Sequence, residues 1–286
     1  MLHAIYDCCD EPKTTQELAN RLKKDGIGWK QILPLEIEKM TEIRHGQQEA
    51  LVLCDKRKTA ERLRQSGWFV IVVCHEKNRE EDFFGFPYAV EEVDELETDF
   101  FIKVWQRFTK RPWHIVDTSR CEIREMTEED LDDLYQIYQD PEVTRYMEGL
   151  FEDREMERDY IRNYIRNIYM YFGFGTWMII RKSDGKLIGR AGLNYRVGFE
   201  EPELGFMLGK EYQKQGYAYE VCSCILTLAK EAYGFEKIQA LAEPENISSI
   251  KLLKKLGFVY TEEVTLEQRK YQRFLYDETK RQEKSL

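Results

Sequence analysis

The sequence predicts an α/β protein built from two domains, and three observations lead to this fold class. The chain has 286 residues, and because domains average roughly 100–200 residues this length favours two of them. Two runs in the first third, Ala50 to Cys54 and Phe69 to Cys74, are apolar throughout, as parallel strands covered on both faces are. Further along, strand and helix patterns alternate around Asp184-Gly185, a strong hairpin signal.

The first third is predicted to form a small βαβαβα unit. Thr14 and Glu17 have the spacing of a capping box and predict a helix that ends near Gly26. Another helix lies between the two apolar runs, and a weaker strand follows at Tyr88 to Val90. Apolar residues at 3–4 spacing then predict an amphipathic helix from Asp94 to Phe108.

We place the domain boundary near Asp117, because Pro112 interrupts the periodic pattern and a new one follows. The two domains would be residues 1–116 and 117–286. The predicted elements of the second domain are, in order, strand Cys121 to Arg124, helices Leu131 to Tyr138 and Met156 to Tyr171, strands Trp177 to Arg181, Leu187 to Asn194 and Pro202 to Leu208, helix Tyr217 to Tyr233, strand Ile238 to Ala242, helix Asn246 to Leu256, and strands Val259 to Val264 and Tyr271 to Tyr276.

Composition and charge exclude several classes of protein. The 43 basic and 53 acidic residues give a net charge of −10, which repels a phosphate backbone, so we expect no nucleic-acid partner. The longest apolar run, Trp68 to Cys74, is far shorter than the ~20 residues that span a bilayer, and the start of the chain does not resemble a signal peptide. We therefore expect a cytoplasmic protein without a membrane partner. None of the seven cysteines is spaced C-x-x-C, so we expect reduced thiols and no metal site.

The segment Gln213 to Ala218 carries the clearest chemical signal, because it opens a helix directly after a strand. The start of a helix exposes up to four unpaired N–H groups and the positive end of the helix dipole, which together favour an anion. Gly216 and Ala218 are small where a phosphate would approach the backbone, and Lys210 and Lys214 add positive charge. The alternative is a strand-to-helix turn that uses glycine for its backbone conformation.

This segment resembles the Q/R-x-x-G-x-G/A signature of the GNAT superfamily of acyl-CoA-dependent N-acyltransferases, and the resemblance covers roughly Cys121 to Asp277. Asn246-x-x-Ser249, followed by Lys255-Leu256-Gly257-Phe258, is similar to the branch that acetylates the N-termini of ribosomal proteins. The resemblance implies a mixed, mostly antiparallel central sheet flanked by helices. It also implies transfer of an acetyl group from acetyl-CoA to a primary amine, either a protein N-terminus or a small molecule, by direct attack in a ternary complex.

The resemblance also assigns the cofactor site. It places the pyrophosphate of acetyl-CoA on the loop before the helix and the pantetheine arm on the backbone of the preceding strand. Asn246 would contact that arm, although the same residue also suits an ordinary helix N-cap. The residues expected to bind the cofactor are Phe206, Met207, Leu208, Gln213, Lys214, Gln215, Gly216, Tyr217, Ala218, Asn246 and Ser249.

The reaction needs a base, because the acceptor amine is normally protonated and must lose a proton before it attacks the thioester. No histidine follows His114, so the candidates are a carboxylate, a tyrosine or ordered water. Glu203 matches the position of a catalytic glutamate in part of the superfamily, and the alternative is a carboxylate that only orients the acceptor. Glu243 and Glu245 are the reserve candidates.

The general acid and the acceptor site are less well defined. Many family members have a tyrosine as general acid where this chain has Leu253, and Ser249 is the residue that the ribosomal-type branch offers instead. The branch builds its acceptor pocket from the first two helices and the third strand, which points to Tyr146, Met147, Glu148, Trp177 and Tyr195, although most of the aromatic residues would also suit a core. A second hypothesis is that the domain is noncatalytic and senses acyl-CoA.

The N-terminal unit resembles the second half of a haloacid-dehalogenase-type or other Rossmann-like domain. The resemblance rests on Leu51 to Asp55, a helix, Gly67, and Val70 to Val73. The dehalogenase motif D-x-D-x-T is absent, because Asp7-Cys8-Cys9-Asp10 has a different spacing. We therefore expect a noncatalytic binding, regulatory or dimerisation module, with a homodimer as one possible state.

Overall fold

The computed structural model describes residues 1–10, 16–42 and 46–278. The chain divides into two compact units, Met1–Arg111 and Pro112–Leu286. This division falls before the boundary expected near Asp117, because strand His114–Asp117 pairs antiparallel with strand Cys121–Arg124 of the second unit. No helix among the described residues is long and apolar enough to span a membrane.

The N-terminal unit alternates strands and helices. Its strands are β1 (Ala4–Asp7), β2 (Gly28–Gln31), β3 (Ala50–Cys54), β4 (Phe69–Val73) and β5 (Ala89–Val90), and its helices are α1 (Gln16–Lys24), α2 (Pro34–Glu42), α3 (Arg57–Gln65) and α4 (Thr98–Phe108). The predicted capping residue Thr14 lies outside the described residues.

The N-terminal sheet is parallel throughout, as predicted, with the strand order β2-β1-β3-β4-β5. Every residue of β3 is buried, and so are four of the five residues of β4, because helices cover both faces of the sheet. The sequence did not predict β1 and β2. Each has only four residues, and no residue of β2 is fully buried, so neither strand has a long apolar run.

The C-terminal unit has eight strands and a larger set of helices. The strands are β6 (His114–Asp117), β7 (Cys121–Arg124), β8 (Thr176–Arg181), β9 (Leu187–Asn194), β10 (Glu203–Leu208), β11 (Lys237–Ala242), β12 (Val259–Leu266) and β13 (Arg269–Asp277). The helices are α5 (Leu131–Tyr138), α6 (Pro141–Thr144), α7 (Arg154–Tyr164), α8 (Met170–Phe172), α9 (Tyr217–Glu231) and α10 (Ile247–Leu256).

The C-terminal sheet is mixed and mostly antiparallel, as the resemblance implies. Its strand order is β12-β13-β11-β10-β9-β8-β7-β6, and within the described part of this sheet β10–β11 is the one parallel pair. Those two strands pair at a single position, Glu203 with Gln239, whereas β10 and β9 pair along six residues. The sheet therefore separates between β10 and β11 toward the carboxyl end of β10.

The helix predicted from Met156 to Tyr171 is divided in the structure. A π-helical turn, Ile165–Tyr169, lies between α7 and α8. The turn directs Tyr169 into the core, where its hydroxyl accepts a hydrogen bond from the Met126 N–H (3.1 Å) and donates to the Thr176 carbonyl. Gly173, with φ 71°, then ends the segment in a left-handed conformation that glycine adopts without strain.

Candidate active site

The loop between β10 and α9 is held by its own side chains and by a short turn. A 3₁₀ turn, Lys210–Tyr212, follows β10, and the Gln213 side-chain amide donates to the Leu208 carbonyl (3.0 Å). Lys214 and Gly216 both have positive φ angles, 59° and 85°, so the chain turns sharply into the helix. Gly216 is the N-cap of α9, at a conformation that strains residues with a side chain.

The last part of this loop and the first residues of α9 present a row of backbone N–H groups. Within the described part of the chain, no backbone or side-chain acceptor receives the N–H groups of residues 214–218. These groups lie at the positive end of a 15-residue helix. Backbone donors in this arrangement bind an anion such as a phosphate.

The backbone edge of β10 that faces away from β9 is unpaired with β11 near the loop, and its Leu208 carbonyl already accepts from the Gln213 side chain. The Gly209 N–H donates to the Ile188 carbonyl of β9 (2.9 Å), and peptide groups alternate along a strand. Met207 therefore directs its backbone toward β9, while Phe206 and Leu208 direct theirs into the opening between β10 and β11. Of the three residues predicted to pair with a pantetheine arm through their backbone, only Phe206 and Leu208 have the required orientation.

Asn246 caps α10, as the simpler of the two hypotheses predicts. Its side-chain oxygen accepts from the Ser249 N–H (3.2 Å) and from the Ser248 hydroxyl (3.1 Å). Ser249 lies in the first turn of α10 and is half-buried. The structure therefore brings these two predicted site residues together, and their contact with a cofactor stays a prediction.

Glu203, the predicted base, is part of an ion pair that the sequence did not predict. The Arg196 guanidinium donates to both of its carboxylate oxygens, at 2.5 and 3.2 Å. The Glu203 side chain is 15% exposed and that of Arg196 is 48% exposed. These hydrogen bonds raise the pKa of the Arg196 guanidinium above its usual value. To act as a base, Glu203 would have to give up its hydrogen bonds from Arg196 and accept one from the acceptor amine instead.

Neither Glu243, one of the two reserve carboxylates, nor Leu253, at the position of the general acid, is a free polar group in the structure. Glu243 lies near Arg269, with a nitrogen–oxygen distance of 3.4 Å, so it is also paired with an arginine. Leu253 is buried in the core, with 1% of its surface exposed. This position therefore has neither the chemistry nor the exposure of a general acid.

Four of the predicted acceptor-site residues have different surroundings in the structure. Trp177 is fully buried and pairs across the sheet with Ala191, so it belongs to the core and the prediction for it is wrong. Tyr195 packs against Phe172, Phe174 and Phe235. The Tyr146 hydroxyl donates to the Glu245 carbonyl (3.1 Å), and Glu148 is exposed.

The polar groups at the carboxyl edge of the N-terminal sheet bind one another. The Asp55 carboxylate accepts from the Asp10 N–H, at 3.1 and 3.0 Å, and lies 3.3 Å from His75 Nε2. The Asn78 amide donates to the carbonyls of Asp55 and Val73, both at 2.9 Å. We find no set of three or more metal-ligating side chains among the described residues.

Comparison with known proteins identifies the C-terminal unit. A family described as the acetyltransferase (GNAT) domain matches residues 120–259. The uncharacterized N-acetyltransferase p20 of Bacillus licheniformis is 35% identical over 144 residues, which are 49% of this chain and 80% of that protein. The chain belongs to the GNAT acetyltransferase family.

Solved structures agree on the fold. A protein from Vibrio cholerae, provisionally described as a ribosomal-protein-serine acetyltransferase, aligns with a TM-score of 0.51 and 20% identity over 58% of this chain and 97% of its own. RimL, a ribosomal L7/L12 α-N-protein acetyltransferase in its apo form, aligns with a TM-score of 0.50 and 12% identity over 58% and 95%. The family match lies in the C-terminal unit, so the dehalogenase-type resemblance of the N-terminal unit stays a prediction.

Proposed function

We propose that this chain transfers an acetyl group from acetyl-CoA to a primary amine. The observation that carries the proposal is the row of N–H groups at residues 214–218 without acceptors among the described residues, beside the open edge of β10. A Cβ on Gly216 would contact one atom of another residue, Arg120 Nη2 at 3.5 Å, so the loop is open on that side. These features fit a pyrophosphate and a peptide-like arm, and acetyl-CoA when bound supplies an activated thioester.

The chain's own residues would bind and orient the reactants. The loop N–H groups would hold the pyrophosphate, and the backbone of Phe206 and Leu208 would pair with the arm. Glu203 would take the proton that the acceptor ammonium loses, directly or through water. Arg196 would first have to release Glu203, because it now occupies both carboxylate oxygens.

Two measurements test this function. Calorimetry should show that the full chain binds acetyl-CoA, and a panel of amines should reveal at least one acceptor through release of the CoA thiol. The panel should include N-terminal peptides of ribosomal proteins, because two of the structurally similar proteins are described as acting on such proteins. Absence of acetyl-CoA binding by the folded protein would refute the proposal.

The second candidate is a noncatalytic acyl-CoA sensor. The ion pair between Glu203 and Arg196 favours it, together with Leu253 at the position of the acid. This candidate predicts acetyl-CoA binding without thiol release for every amine in the panel. Turnover with any of the amines would exclude it.

A further inference from the structure

The Arg120 side chain reaches from the residue before β7 to the loop before α9. Its Nη1 donates to the Gln215 carbonyl (3.0 Å), and its Nε donates to the Glu220 carboxylate (2.6 Å). The guanidinium carbon lies 4.1 Å from the centre of the Tyr217 ring. Arg120 therefore contacts the loop, the first turn of α9 and an aromatic ring at once.

These contacts fix the guanidinium in one orientation. The second oxygen of Glu220 accepts from the Arg120 backbone N–H (2.8 Å), so one carboxylate holds both the main chain and the side chain. The guanidinium is planar and presents its N–H groups in a rigid fork. With Nε and Nη1 bound to protein acceptors, the direction of Nη2 is determined.

The remaining nitrogen, Nη2, points to the open side of the loop. It lies 3.5 Å from the position that a Cβ on Gly216 would occupy. Within the described residues Nη2 has no hydrogen-bond acceptor, and the Arg120 side chain is 42% exposed. A charged donor therefore lies next to the unpaired N–H groups of residues 214–218.

We propose that Arg120 binds a phosphate of the cofactor through Nη2 and also holds the loop in its anion-binding shape. This inference rests on the proposed function, because it requires that the loop receives acetyl-CoA. Arginine suits the role because its hydrogen bonds to phosphate are charge-assisted and directional. A lysine on the same loop would supply charge without this fixed geometry.

The test compares two acyl donors that differ in their phosphates. Acetyl-CoA has the pyrophosphate, whereas S-acetylpantetheine has the same thioester and arm without any phosphate. The kcat/KM of the full chain is measured for both donors with the best amine of the panel, and acetyl-CoA affinity is measured by calorimetry. The variants are Arg120→Met, which removes the guanidinium, and Arg120→Lys, which retains only a charge.

We expect Arg120→Met to weaken acetyl-CoA binding roughly 10- to 100-fold, as the loss of a hydrogen bond to a charged group does. Its kcat/KM for S-acetylpantetheine should change less than about threefold, since that donor makes no phosphate contact. Arg120→Lys should show an intermediate loss and keeps the test valid if Arg120→Met does not fold. Arg154→Met is the matched control, because Arg154 also pairs with a carboxylate, that of Asp132, and stacks on an aromatic ring, that of Tyr135.

Three outcomes would overturn the inference. Unchanged acetyl-CoA affinity in folded Arg120→Met would show that Nη2 binds no phosphate. Equal losses for both donors would show that Arg120 only supports the fold. If the wild-type protein itself fails to bind acetyl-CoA, the proposed function fails and this inference fails with it, whereas the first two outcomes leave the proposed function intact.

Discussion

The two sheets of this protein differ in how they use the polar groups at their edges. In the N-terminal sheet, the Asp55 carboxylate accepts a hydrogen bond from the Asp10 N–H. The Asn78 side-chain amide donates to the carbonyls of Asp55 and Val73. In the C-terminal sheet, β10 and β11 pair at one position, and the N–H groups of residues 214–218 lack acceptors within the described chain. Unpaired backbone donors are costly unless water or a ligand binds them. This difference between the two sheets supports the C-terminal loop as the anion site that we propose.

The largest expected effect comes from Gly216→Val. A branched residue at φ 85° is strained, and its side chain would enter the side of the loop where a phosphate must lie. We expect acetyl-CoA affinity to fall by more than about 100-fold, since several charge-assisted contacts are lost together. Calorimetry measures this effect. Gly234→Val is the control, because Gly234 also has a positive φ, 67°, but follows the other end of α9.

If both glycine variants retain wild-type affinity, the loop is not the cofactor site. The contrast between the two sheets would then have no functional meaning. If both lose affinity equally, the effect belongs to the stability of α9 rather than to the loop.

The next effect concerns Glu203. Glu203→Gln should preserve acetyl-CoA affinity and lower turnover by roughly 10²-fold or more, which is the usual contribution of a positioned base. The acidic limb of the pH–rate profile should change as well. Glu262→Gln is a suitable control, because Glu262 also pairs with an arginine, Arg273, but lies on the strand at the edge of the sheet. Full activity with an unchanged profile would assign the role to Glu243 or to water.

A smaller effect is expected on stability through Glu220. Burial opposes ionisation of this carboxyl, but hydrogen bonds from Thr118 and Arg120 hold its pKa below the ordinary value of 4.5. A carboxyl with a lowered folded-state pKa stabilises the protein above its unfolded-state pKa, and this stabilisation is lost as the pH falls through the folded-state pKa. Glu220→Gln should therefore unfold roughly 2–6 °C below wild type at pH 7.

This difference in Tm should shrink as the pH falls below 4.5. Differential scanning calorimetry of both proteins at several pH values measures it, using the transition that acetyl-CoA raises. A difference independent of pH would mean that the charge of Glu220 does not contribute.

The smallest effect is expected from removal of the N-terminal unit. A protein of residues 112–286 retains the whole eight-stranded sheet and the buried cluster of its core. A domain of this size buries about 70% of its unfolded surface and should fold alone. We expect its Kd for acetyl-CoA to lie within about twofold of the Kd of the full chain. Any change should appear instead in the affinity for the acceptor or in the oligomeric state. A protein of residues 118–286, which lacks β6, is measured for comparison.

Aggregation of the 112–286 protein would contradict the independence of the two units. If only the 118–286 protein aggregates, β6 is needed to cover the edge of β7.

Local patterns in the sequence predicted much of the C-terminal fold. The family resemblance and the mixed sheet are confirmed, and the predicted strand Leu187 to Asn194 has the observed bounds. In the N-terminal unit, β3 was predicted because all of its residues are apolar, and in the structure all of them are buried. The short strand β2 was missed, because its residues Gly28 to Gln31 lie at an edge and show no apolar run.

The parts of the site that were missed depend on contacts between distant residues. Arg120 reaches Gln215 and Glu220 across 95 and 100 positions, and no local pattern indicates such a pair. Arg196 and Glu203 are seven residues apart across the connection between β9 and β10. Only the antiparallel pairing of those two strands, had it been predicted, would have indicated their contact. Trp177 was misassigned because a tryptophan on a strand looks the same in sequence whether it faces a pocket or the core.

Main-chain recognition at β10 makes few demands on the side chains of that strand. The groups that face the opening belong to the peptide units of Phe206 and Leu208, and every residue except proline supplies both a donor and an acceptor there. Substitutions along β10 could therefore change the neighbouring surface while this edge keeps the main-chain groups that would pair with the proposed cofactor. A proline at residue 206 or 208 is the change that such substitutions would have to avoid.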